Sequence, residues 1–496
     1  QARNSFIEPV LIATEREARA RERKHLNGVK TWHFKADRVR DFAFASSRKF
    51  IWDAMAVKQN DGSTVMAMSM YPREGNPLWE KYSTKVVAHT LKWYSHYTFD
   101  YPYPVAWSIN AANIGMEYPM ISFNFGRPNA DNTYSKRTKY SMISVIIHEV
   151  GHNYFPMIVN SDERQWTWMD EGLNTFLQYL TEQQFERNYP SRYGPAHKIV
   201  DYMKGDKSFI SPIMTNSESI HQIGNNAHGK PATALNILRE TILGRELFDV
   251  ALKDYSKRWK FKHPTPADFF RTMEDASAVD LDWFWRGWFY STDHVDISLD
   301  EVAWFNIDSE DPLVDDSRLL EERDNSPRDI SQIRNASTIT QTYDQADPML
   351  RDFYTNYDPL ESTSYDQRQY EELIDSLTER EKRILNNQSH YYELTFSNKG
   401  GLPMPIILDF EFLDGTHEEH RIPAEIWRFN DESINKVFVF EKILKRIVVD
   451  PYLETADVDR TNNYFPQQII PSRFQLYREK KRMKQNPMQR LRAENP

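Results

Sequence analysis

The sequence predicts a multidomain α+β protein, and three observations carry that expectation. The chain has 496 residues, too many for one ordinary core and enough for roughly two to four domains. Its aromatic content is 14%, with 13 Trp, 26 Tyr and 28 Phe, a composition suited to dense packing. The hydrophobic pattern also changes period along the chain, from alternating runs to strongly helical stretches and back to alternation.

Residues 1–57 open with the charged stretch Glu15 to Lys24 and then alternate through Thr31-Trp-His-Phe and Phe42-Ala-Phe-Ala. Alternation of this kind predicts strands, and the segment reads as the end of an N-terminal β-rich domain whose beginning is absent. Residues 58–298 combine strand-like runs at 63–70 and 105–109 with several periodic helices, a mixed domain that holds the chemically informative motifs. Residues 299–385 are rich in Asp, Glu, Ser and Arg and poor in apolar clusters, which predicts a polar linker or insertion with a helix near 366–385. Residues 386–472 carry short alternating runs, Tyr392-Glu-Leu-Thr-Phe, Ile406-Ile-Leu-Asp-Phe-Glu-Phe and Val437-Phe-Val-Phe, separated by turn residues; they predict a small β-sandwich-like domain. The tail, 473–496, has eight Lys or Arg against two Glu and reads as a solvated basic helix.

Charge and composition remove several function classes. A net charge of −10 argues against nucleic acid as a partner, because phosphate binding needs a positive surface. No stretch approaches the eighteen or so apolar residues of a transmembrane span. There is no Cys, so any metal must be held by His and carboxylates.

The segment Tyr140-Ser-Met-Ile-Ser-Val-Ile-Ile-His-Glu-Val-Gly-His-Asn-Tyr-Phe predicts a helix, since Ile143, Ile147, Val150 and Tyr154 recur on one face. On it His148 and His152 stand one turn apart and can direct two imidazoles at one ion. Glu149 is rotated from His148 by about 100°, within reach of a water beside the metal without being a ligand. A hydrolytic zinc site usually takes a third protein ligand. Glu171, separated from His152 by eighteen intervening residues, falls at the start of a second helix in Trp168-Met-Asp-Glu-Gly-Leu-Asn-Thr-Phe.

His148-Glu149-x-x-His152, eighteen residues and then Glu171 resembles the M1 family of zinc aminopeptidases, which are gluzincins, in a bacterial-type form. The resemblance runs from about Trp32 to Ile297, with Gly115-Met116-Glu117-Tyr118-Pro119 at the place of the family's Gly-x-Met-Glu-Asn motif. It implies a thermolysin-like zinc peptidase catalytic domain, one Zn²⁺ per chain on His148, His152 and Glu171, Glu149 as general base, and peptide substrates with a free N-terminus. Gly115, Met116 and Glu117 would bind the substrate, with the Glu117 carboxylate pairing with the free α-amine. The family places a Tyr, the oxyanion donor, two residues before a Lys; in Ala227-His228-Gly229-Lys230-Pro231 that place is held by His228. The resemblance therefore gives His228 the catalytic donor role and, because imidazole titrates near neutral pH, also implies weakened or pH-shifted activity. Two further readings stand beside the aminopeptidase: a thermolysin-like endopeptidase with the amine end of the cleft open, and an inactive zinc-binding scaffold. Export to the periplasm is expected ahead of a cytoplasmic location, and a missing N-terminal portion or partner chain is expected before Gln1.

Overall fold

The computed structural model describes residues 7–8, 34–387, 389–468 and 485–494. The charged stretch Glu15 to Lys24, Thr31 to His33 and most of the basic tail lie outside the described residues.

A six-stranded sheet supports the site. It contains β1 (Ile7–Glu8), β2 (Ile51–Lys58), β3 (Thr64–Tyr71), β4 (Val105–Asn110), β5 (Met116–Tyr118) and β6 (Ile121–Asn124), in the order β1-β2-β3-β4-β6-β5. Strands β3, β4 and β6 run parallel, while β5 lies antiparallel on the edge beside β6. Parallel β3 and β4 need a crossover, which is supplied by helix α1 (Leu78–Tyr97), its Trp79, Val86, Val87, Leu91 and Tyr94 fully buried. Strand β2 pairs with β3 along its whole length, so the sheet takes in residues 51–58 that straddle the expected boundary at 57. Phe42 to Ala45 is irregular rather than extended in a sheet; Phe42 and Phe44 are exposed, each packing on Phe34, and among the described residues no strand pairs with this segment to complete a ladder.

Behind the sheet, α2 (Lys136–Gly151) starts at Ser135, whose side chain caps the Thr138 N–H, and buries Ile143, Ile146, Ile147 and Val150. It gives way to a wide turn over Asn153–Ile158. Helix α3 (Thr167–Phe185) returns against it, and the partners run in reverse order: His152 with Asp170, His148 with Asn174 and Gln178, Ser144 with Glu182, Tyr140 with Glu186. After a wide turn at Gly224–Gly229, the helical elements are α4 (Lys230–Ile237), α5 (Arg245–Trp259), α6 (Pro266–Ser277) and α7 (Asp282–Tyr290). The aromatic run in α7 is core: Phe289 lies 4.8 Å from Trp168, and Trp285 stacks on Phe270 at 4.6 Å.

The C-terminal strands form two sheets. One has the order β11-β8-β7, from β7 (Ile297–Phe305), β8 (His390–Asn398) and β11 (Ser433–Phe440). The other has the order β10-β9-β12-β13, from β9 (Ile406–Phe412), β10 (His417–Ile422), β12 (Leu444–Val449) and β13 (Tyr464–Phe465). They face each other through Phe410 and Phe412 on one side and Phe438 and Phe440 on the other, with ring centroids 4.9 to 5.1 Å apart. Strand β7 begins this unit before the polar insertion and pairs with β8 after it. Within the insertion the chain forms more helix than the single one expected, including α8 (Pro312–Asn325), α9 (Ile330–Thr338), α10 (Ser364–Ser376) and α11 (Glu379–Leu385). None of these four buries a residue. Capping boxes at Asp329, Thr363 and Thr378 explain helices that have no apolar face to bury. The last element, α12 (Pro487–Glu494), docks on the loop before α2: the Asn486 amide donates to Thr133 Oγ1, and Gln489 and Arg492 donate to Asp131. No helix among the described residues is long and apolar enough to cross a membrane.

Candidate metal centre

Helices α2 and α3 bring the three expected ligands together. His148 Nε2 and His152 Nε2 are 3.0 Å apart, and Glu171 Oε2 lies 3.1 Å from the first and 3.4 Å from the second. The other nitrogen of each ring is taken. His148 Nδ1 sits 2.9 Å from Gln178 Oε1, while His152 Nδ1 lies 2.9 Å from the Phe155 carbonyl and from Asp170 Oδ1. Those partners accept, so each Nδ1 carries its proton and each Nε2 turns a lone pair inward. Two lone pairs and a carboxylate oxygen converging this closely repel unless a cation lies among them. A tetrahedral zinc with bonds of 2.0–2.1 Å sets its donors about 3.4 Å apart, so the donor set fits zinc. Burial pushes the Glu171 carboxyl up, but where no cation fills the gap a proton on the histidine Nε2 atoms hydrogen-bonds to it and holds the group well below the usual carboxylate range. It stays anionic, as a ligand must.

Glu149 is buried beside the ligands, and burial pushes its carboxyl up to about 7 against the pull of His148 and His152. Gly115, just ahead of edge strand β5, presses on it. A Cβ at Gly115 would lie 2.3 Å from Glu149 Oε1 and 2.8 Å from Val145 Cγ2, too close to accommodate without moving the carboxylate. We therefore expect Gly115→Ala to leave zinc bound while lowering kcat about 100-fold, since an ångström of misplacement near the reacting atoms costs that much. Zinc analysis and kinetics on one preparation check this; full activity would contradict it.

Glu117 on β5 sits on the far side of His152: a carboxylate oxygen of Glu117, a nitrogen of His152 and an oxygen of Asp170 lie within 4.8 Å of one another. Met116, beside it, is exposed.

His228 comes to the site because Gly172 lets α3 and the turn before α4 close up. A Cβ at Gly172 would stand 2.6 Å from Pro231 Cγ and 3.0 Å from the Ala227 carbonyl oxygen. His228 Nδ1 lies 3.2 Å from Glu171 Oε2 and 3.4 Å from Thr175 Oγ1. Burial pulls the imidazole down to about 4, so the ring is neutral. The nitrogen facing an anionic carboxylate carries the ring's single proton, which leaves Nε2 an acceptor.

Lys230, two residues on, is buried and donates from Nζ to the Ser291 carbonyl at 3.1 Å. Burial, then the charge of Lys207, pulls it down to about 7. An unfolded lysine titrates near 10.4, so the fold resists this proton. The penalty is full below pH 7, shrinks between pH 7 and 10, and is gone above. Lys230→Met is thus expected to stabilise the fold by up to a few kcal/mol at pH 7, with the difference closing by pH 10. Thermal melts at the two pH values check this, and an equal difference at both would contradict it.

Sequence reasoning named the three residues that converge here but not the side chains that support them. Asp170 and Gln178 were missed, although Asp170 is the immediate neighbour of Glu171.

A pair of helices presenting two histidines and two glutamates in this way defines a metallopeptidase domain, and residues 82–288 match the Peptidase family M1 domain. Probable aminopeptidase 1 of Sulfurisphaera tokodaii is 25% identical over 243 residues, which is 45% of this chain and 30% of that protein. Glutamyl aminopeptidase of Bos taurus is 28% identical over 149 residues, 29% of this chain and 16% of that one. The chain thus spans less than a third of the length of these relatives. Among solved structures, aminopeptidase A of Legionella pneumophila, crystallised with aspartic acid, superposes with a TM-score of 0.48 at 11% identity. That superposition covers 82% of this chain and 38% of the other.

Proposed function

We propose that this protein is a zinc aminopeptidase that removes N-terminal residues from peptides, with one zinc held by His148, His152 and Glu171. The observation that carries the reading is the convergence of two inward imidazole lone pairs and the Glu171 oxygen within 3.4 Å beside a buried Glu149. Zinc, when bound, supplies Lewis acidity, acidifying a water and polarising the scissile carbonyl. Glu149 takes the proton of the attacking water and hands it to the departing amine, for which a carboxyl poised near neutrality is suited. Gly115 holds that carboxylate in place by close packing. Glu117 pairs with the substrate α-ammonium, so that one residue is measured off before the scissile bond.

His228 bears on rate. With its proton directed at Glu171, it orients that ligand and has no second proton to offer an oxyanion. This one contact favours a second reading, a catalytically weakened enzyme, over full activity. The test is hydrolysis of aminoacyl fluorogenic substrates by the zinc-loaded protein beside their N-acetylated analogues. Cleavage confined to the free amines and lost in Glu117→Ala supports the aminopeptidase; cleavage of the acetylated forms would make it an endopeptidase. A rise in kcat in His228→Tyr would identify the weakened form.

A further inference from the structure

A cavity of about 570 Å³ opens beside His148 and His228, and Glu117 is not among its lining residues. His148 and His228 form its inner end, Val145 and Thr175 its walls, and Lys136, Arg137 and Arg192 its rim. No Asp or Glu lines it. The carboxylates behind its wall are already committed: Glu182 accepts from Ser144, Gln178 and Ser191, and Glu186 from Lys139 and Tyr140. Among the described residues, neither Arg137 nor Arg192 has an ion-pair partner. The rim is therefore a positively charged mouth whose Lys136 is near enough to Glu186 for its charge to act on that carboxylate, while Arg137 and Arg192 have no counter-charge of their own among the described residues. Arg192 is close enough to His228 for its charge to act on that imidazole.

The direction of a bound chain follows from the amine end, and so rests on the aminopeptidase reading. With the ammonium at Glu117 beside His152, the residues after the scissile bond leave past His148 into this cavity. Along α2 the eleven residues from His148 back to Arg137 rise roughly 16 Å. An extended peptide advances about 3.3 Å per residue, so about five residues would fill the whole span, but an extended Arg137 side chain reaches roughly 7 Å inward from its Cα and leaves room for about two or three before a chain terminus meets it.

We propose that this cavity is the leaving-group subsite and that Arg137 and Arg192, with Lys136, recognise the C-terminal carboxylate of a short peptide. Tri- and tetrapeptides with a free carboxylate are then the substrate class. A planar carboxylate suits the guanidinium fork, and a partly exposed pair of such contacts is worth about tenfold in affinity.

The test measures calorimetric binding of Leu-Ala-Ala and of its C-terminal amide to the zinc-loaded Glu149→Gln protein, where neither is turned over. We expect the amide to bind about tenfold more weakly. The difference should shrink with added salt and disappear in the Arg137→Ala/Arg192→Ala variant, both residues being exposed and outside the core. Equal affinity for acid and amide, or binding of neither, would overturn the proposal. Hydrolysis of leucyl-coumarin by the unsubstituted protein is followed in parallel. Turnover without an acid–amide difference refutes the subsite and keeps the aminopeptidase. A difference in binding without turnover does the reverse.

Discussion

Replacing Glu149 with Gln is expected to lower kcat about 10³-fold while leaving zinc content at one equivalent and KM nearly unchanged. The argument is local. Glu149 follows His148 on α2 but is turned away from the ligand face, so its loss removes no donor atom from the metal. Gln has the same shape and keeps the contact with Gly115, but it cannot take a proton from the attacking water. Instability will not account for the loss. Burial pushes the Glu149 carboxyl up to about 7, which means that ionising it in the fold is costly, and the neutral amide avoids that cost. Melting temperature should hold or rise. Loss of zinc together with activity would mean that Glu149 is a ligand and that the assignment is wrong.

The second large effect is on metal affinity. Glu171→Ala should weaken zinc binding by well over 100-fold, measured by competition with a chromogenic chelator, because it removes the one anionic donor from the set. Without it, His148 Nε2 and His152 Nε2 face each other at 3.0 Å with no charge to offset an ion. The outer partners give an internal scale. Gln178→Ala removes the hydrogen bond, and Asp170→Asn the adjacent negative charge, that favour the proton on Nδ1 of each imidazole, and should cost about 10–100-fold each. A Glu171 variant that loses no more than these would place the third ligand elsewhere.

The site was more legible in the sequence than the fold around it. Four-residue spacing on a helix puts His148 and His152 on one face by geometry alone, and the helix carrying Glu171 could be found from its own apolar stripe. What spacing could not show is which nitrogen of His228 faces what. That depends on Gly172 letting Pro231 approach to within a Cβ's breadth, a contact between segments far apart in the chain. The strand β2 went unrecognised because its pairing with β3, not its alternation, decides that it belongs to the sheet. Phe42 to Ala45 shows the converse, alternation with no edge to join. Likewise β7 finds β8 only across the whole insertion, a pairing no local pattern encodes. Arg137 and Arg192 were plain in the sequence, but only the return of α3 against α2 places them around one cavity.

The most direct test of the central claim is anomalous scattering at the zinc edge from crystals of the zinc-loaded protein. The account predicts one strong peak about 2.0–2.2 Å from His148 Nε2, His152 Nε2 and Glu171 Oε2, with Glu149 outside bonding distance. A peak at the surface carboxylates Glu274, Asp280 and Asp282 with none between α2 and α3 would contradict it.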